Sequence, residues 1–173
     1  MRNMRNHLPP ALAGFWLGHL LADALLVGWA MLGLYLYFLD SSDLWYDVTG
    51  FLLALLPLLM AGGLTRKFRP GLRTGGLWTA AGLDALVLLG FYVLGGDAHW
   101  FWFTLPGEVL ASWVPPLAER LGVAPYYTRM MLRDGVGALL PPLAFTLGCL
   151  LARRPEEKPG DQGKTGEGGR KWT

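Results

Sequence analysis

The chain has 173 residues, of which 53% are hydrophobic and 16% charged, with a formal net charge of +2; soluble domains carry about a quarter charged residues. That imbalance argues against an ordinary water-soluble domain. The small net charge, with no aromatic residues interleaved among the basic ones, argues against a nucleic-acid footprint, and the single cysteine, Cys149, excludes an intramolecular disulfide and thiol-pair redox chemistry.

The apolar residues gather into long blocks rather than at core-like spacing, and a hydrocarbon slab of about 30 Å calls for about 20 such residues in a helix. The first block, residues 11–39, follows the basic stretch MRNMRNH. It outruns the h-region of a signal peptide and is expected to stay attached as a helix. The connection LDSSDLWYD then carries Asp40, Asp43 and Asp47 without a basic residue. Blocks at 48–64 and 75–94 follow, separated by Arg66, Lys67, Arg69 and Arg73, and a fourth runs over 135–152. Tyr35, Tyr37, Trp45 and Tyr46, and the HWFWF stretch at 99–103, read as aromatic belts at the headgroup level.

The segment 106–133 differs from these blocks. Between Pro106 and Gly122 the residues Val109, Leu110, Trp113, Val114, Leu117 and Leu121 recur at helical spacing, with Glu108, Glu119 and Arg120 opposite. Pro115 and Pro116 interrupt that pattern. The reading is two short amphipathic helices lying on, or dipping into, the outer leaflet. Asp134 is expected to cap the start of the fourth helix. Pro141 and Pro142 should bend that helix, with Thr146 near the freed carbonyls. No internal repeat links the halves, so the inverted-repeat signature of secondary transporters is missing.

Twelve of the fifteen basic residues precede the first block, lie between the second and third, or follow the fourth. The positive-inside rule therefore predicts both termini in the cytoplasm and a multi-pass protein of the cell membrane. Residues 153–173, rich in Gly, Pro and mixed charge, predict a disordered cytoplasmic tail outside the membrane domain of residues 1–152. The fold class expected is all-α: a four-helix transmembrane bundle with an extracytoplasmic amphipathic segment between helices three and four.

Three ionisable residues fall well inside the blocks: His19, Asp23 and Asp84. Each costs about 2.5–3.5 kcal/mol at a helix centre, so such groups mark a pathway, a proton relay or a pairing site. A spacing of four puts His19 and Asp23 on one helical face. Counted from Ala11 and from Gly76, His19 and Asp84 each lie eight residues in, about 12 Å from the inner boundary. Gly14, Gly18 and Ala22 form a stripe of small residues beside His19, and Ala80 and Ala81 precede Asp84 by one turn. Together they predict that helices one and three pack with His19 facing Asp84 and Asp23 one turn farther on.

The cluster reads either as interhelical glue or as a titratable relay. One His and two Asp make a weak metal signal, and no motif calls for a cofactor. Three functional classes follow. The first is a non-enzymatic accessory or interaction subunit, its partners the lipid bilayer and other membrane-protein subunits or a second copy of itself. The second is a small oligomeric transporter or ion- or proton-conducting protein using His19, Asp23 and Asp84. The third is an intramembrane hydrolase using the two aspartates.

Overall fold

A computed structural model of the chain describes residues 8–37, 43–94, 101–123 and 125–152. The fold is an all-α bundle of six helices among the described residues: α1 (Leu8–Tyr37), α2 (Asp43–Phe68), α3 (Thr74–Leu94), α4 (Phe101–Leu110), α5 (Val114–Arg120) and α6 (Tyr126–Leu151). Segments of α1, α2, α3 and α6 are long and apolar enough to cross a membrane. By length and composition this is a multi-pass membrane protein.

Its side chains are distributed for lipid rather than water. Leu139, Leu143, Leu147 and Leu151 form an exposed stripe along α6, whereas the opposite face buries Gly137, Ala138, Pro141, Pro142, Phe145, Gly148 and Cys149. Leu17, Leu21 and Leu25 repeat the exposed pattern on α1. Large apolar residues face outward because lipid tails accept them, and small ones face inward because helices in lipid gain by close approach.

The closest approach joins α2 to α6. A side chain at Gly62 would run into the Phe145 carbonyl, one at Gly148 would run into the Leu59 carbonyl, and the Cys149 thiol donates to the Gly62 carbonyl at 3.1 Å. The stripe of Gly14 and Gly18 meets Thr65 and Ala61 of α2. This corrects the expected seam, in which that stripe served the contact with the third helix; α1 does also touch α3, with Trp16 against Asp84.

Helix boundaries shift in informative ways. The third block becomes α3 almost unchanged, while the second extends to Asp43–Phe68. The fourth starts at Tyr126, not at 135, so Asp134 lies well inside α6 and does not cap it; extended Pro125 precedes the helix instead. Arg129 and Arg133, placed by the sequence in the outer amphipathic segment, belong to α6, where Arg129 reaches Glu119 of α5 at 2.9 Å and Arg133 reaches Asp134 at 2.9 Å. Thr146 is buried, and its hydroxyl has no hydrogen-bond partner among the described residues, so it does not satisfy the freed carbonyls.

The segment 106–133 is correspondingly less peripheral than its pattern implied. Pro106, Leu110, Ala111, Val114 and Ala118 are buried, and α4 packs on α1, α2, α3 and α6. Pro115 and Pro116 stand in the first turn of α5, where a missing N–H costs nothing. Arg66 donates to the Leu72 carbonyl and folds the α2–α3 turn around buried Leu72. Asp40, the tail 153–173 and the side chains of the expected Tyr35, Tyr37, Trp45 and Tyr46 belt lie outside the described residues.

Candidate functional site: a polar seam inside the bundle

His19 is fully buried and Asp23 is 7% exposed, both on the α1 face turned into the bundle. Phe15 and Trp16 pack on the imidazole, with ring centroids 5.3 and 5.5 Å away. His19 Nε2 lies 2.9 Å from the main-chain carbonyl of Phe103 in α4. A carbonyl only accepts, so Nε2 carries the proton and, in the neutral ring, Nδ1 is a bare acceptor. Asp23 Oδ2 is 3.8 Å from the same Nε2, near but beyond a hydrogen bond.

Asp84 is 2% exposed, and the side chain facing it is Trp16, through its indole N–H. The predicted contact across α1 and α3 is therefore made by Trp16, one turn before His19, and Phe103 takes the place given to Asp84 in the sequence-based reading. Phe103 also departs from the belt assigned to it, since its ring stacks on Phe91 of α3 at 5.2 Å.

From α4 the seam continues toward the end of the bundle that carries the α1–α2 connection. Tyr92 Oη donates to the Thr104 carbonyl at 3.0 Å, and the Thr104 hydroxyl donates to Glu108 Oε1 at 2.8 Å. Glu108 Oε2 is 3.8 Å from Arg133, which also donates through Nε and Nη2 to Asp134 at 3.1 and 2.9 Å. Tyr92 lies within electrostatic range of Asp23 as well as of Glu108, Arg133 and Asp134. Gly107 and Gly137 make room for it: a side chain at either position would press on the Tyr92 hydroxyl and on the facing backbone.

Sequence reading missed Trp16, Tyr92, Thr104, Glu108 and Arg133 as members of this seam. Three of them had a local signal, because Trp16 is one helical turn from His19 and Thr104 and Glu108 are spaced by four. The Phe103 carbonyl had none.

Chemically, the seam offers acceptors and proton carriers rather than a metal cage. Among the described residues no group of three or more His, Cys, Asp or Glu converges to hold a metal ion. The buried atoms His19 Nδ1 and Asp23 Oδ1 have no hydrogen-bond partner among the described residues. No protein family, curated protein or solved structure matches this chain.

Proposed function

We propose that this chain is a cell-membrane protein that takes up and passes protons through its bundle core, with the His19–Asp23 pair as the exchanging site. One observation carries the reading: the pair is buried inside the bundle, yet His19 Nδ1 and Asp23 Oδ1 have no hydrogen-bond partner among the described residues. Interhelical glue is expected to use every polar atom it buries, because each unsatisfied one costs about 1–3 kcal/mol. A proton-exchanging pair keeps an acceptor free in one state of its cycle. Tyr92, Thr104, Glu108, Arg133 and Asp134 supply further polar groups from α3, α4 and α6, and Asp84 supplies a second carboxylate across Trp16. The basic α2–α3 turn is cytoplasmic in this proposal, as are both termini.

Purified protein in liposomes, with a potassium-diffusion potential and an internal pH dye, tests it. Wild type acidifies the lumen, and Asp23→Asn of equal size-exclusion profile does not. Absence of flux in wild type, or unchanged flux in Asp23→Asn, overturns the reading.

A second reading, an accessory subunit acting through a partner helix, draws support from another feature. An apolar groove of about 850 Å³ runs between α1 and α2, from Thr49 at one end to Arg69 at the other. Recovery of a stoichiometric membrane partner after mild solubilisation supports that role, and its loss on Leu56→Trp places the partner in the groove.

A further inference from the structure

We infer that the small chamber between α1, α2 and α4 is the access port by which protons reach Asp23, with Leu26 and Leu105 as its seal; this rests on the proton reading above. The chamber measures about 180 Å³ and is bounded by Leu26, Trp29, Asp47, Leu105, Val109 and Ser112. Its position follows from helical geometry. His19, Asp23, Leu26 and Ala30 are spaced by four, three and four on α1 and so share one face. Leu26 and Ala30 line the chamber, so it opens one turn beyond Asp23 on the side away from His19.

The lining is divided by chemistry. Asp47 and Ser112, both exposed, provide the polar side, with the Asp47 carboxylate favouring cations there. Leu26, 3% exposed, stands one turn from Asp23, and half-buried Leu105, which follows Thr104, lines the chamber from α4. An apolar constriction between a chamber with an acidic side and a buried carboxylate passes water and protons only when it wets. Among the described residues the titratable groups around this route are His19 and Asp23 on α1, Asp47 on α2, Asp84 and Tyr92 on α3, Glu108 on α4, and Arg133 and Asp134 on α6.

Gly50 supplies a handle on the chamber. It belongs to the lining, and a Cβ added there meets Trp29 and Val109 only at 3.9 Å, an ordinary contact. Gly50→Ala is accommodated, whereas Gly50→Leu extends into the chamber and narrows it.

The test measures labelling and flux separately. In a Cys149→Ala background, Asp23→Cys is exposed in sealed vesicles to a membrane-impermeant cationic thiosulfonate, added on the face that bears the α1–α2 connection. Labelling is expected to rise several-fold with Leu105→Ala and to fall several-fold with Gly50→Leu. Flux through the Asp23-containing protein is expected to move the same way, with Gly50→Ala near wild type. Labelling that responds to neither substitution, or that occurs only from the opposite face, overturns the port. Flux that is lost in Asp23→Asn but indifferent to Gly50→Leu and Leu105→Ala also overturns the port and leaves the proton reading standing. Labelling that follows the port variants while wild type carries no flux upholds the port as a route to Asp23 and removes the proton reading.

Discussion

The imidazole of His19 and the main-chain carbonyl of Phe103, separated by 84 positions in the chain, meet at 2.9 Å and tie α4 to α1. Interhelical hydrogen bonds in membranes are worth about 0.6–2 kcal/mol, and truncating a fully buried imidazole adds a cavity. His19→Ala is therefore expected to lower the melting temperature in detergent and to speed amide hydrogen exchange within Phe101–Leu110. Exchange in α4 at the wild-type rate would show that the bond does not hold this helix.

The pairing of Trp16 with Asp84 calls for a double-mutant cycle. Trp16→Phe removes the indole donor while keeping an aromatic ring, and Asp84→Asn replaces the carboxyl group with an amide of the same size. Their effects on stability are expected to be non-additive by about 0.5–2 kcal/mol, the range for residues in direct contact. The pair His19→Ala and Asp84→Asn is expected to show the smaller coupling. The reverse order would restore His19 as the partner of Asp84.

Glycines at helix crossings rank by what surrounds them. A methyl at Gly62 or Gly148 meets backbone on the opposite helix, which cannot rotate away, whereas a methyl at Gly14 meets the Thr65 side chain, which turns. At Gly63 the nearest atoms are 3.8 Å away. Gly62→Ala and Gly148→Ala are expected to lose about 1–3 kcal/mol or more through overpacking, Gly14→Ala less, and Gly63→Ala least. Melting temperatures in one detergent check the order.

Two arginines of α6 should behave differently. Arg133 is two-thirds buried or more in its side chain and bonds Asp134 through two nitrogens, with Glu108 nearby. Arg133→Met leaves these carboxylates without their cation in a site with restricted access to water, an imbalance worth several kcal/mol where burial is deep and less here. Arg129, 16% exposed in its own side chain, pairs with a single carboxylate, Glu119, that is 70% exposed; Arg129→Met leaves behind a carboxylate that water already solvates and is expected to cost under about 1 kcal/mol. Thermal scans at low and high salt separate the two, since the pair with the exposed Glu119 carboxylate is screened more than the partly buried Arg133 cluster.

Much of the architecture was legible in the chain itself. Span length and hydropathy are local properties, so α3 emerged nearly residue for residue, and the shared face of His19 and Asp23 followed from a 3.6-residue period. The Pro pair at 115 and 116 marked the break between α4 and α5 for the same reason. The start of α6 was not legible, because Arg129, Arg133 and Asp134 look like loop residues until Glu119 and Glu108 are placed beside them.

What the sequence by itself determined is an all-helical membrane protein carrying costly polar groups on the inner face of its first span. Tertiary structure alone decided what those groups meet. Every residue owns a carbonyl, so nothing in the letters around Phe103 marks it as the acceptor for His19. A stripe of small residues states that some helix comes close, and only packing selected α2, where Thr65 and Ala61 meet Gly14 and Gly18, over α3, whose buried face also carries the small residues Gly76, Ala80 and Ala81. The chamber above Asp23 likewise exists only where α1, α2 and α4 meet, with Gly50 leaving the space open.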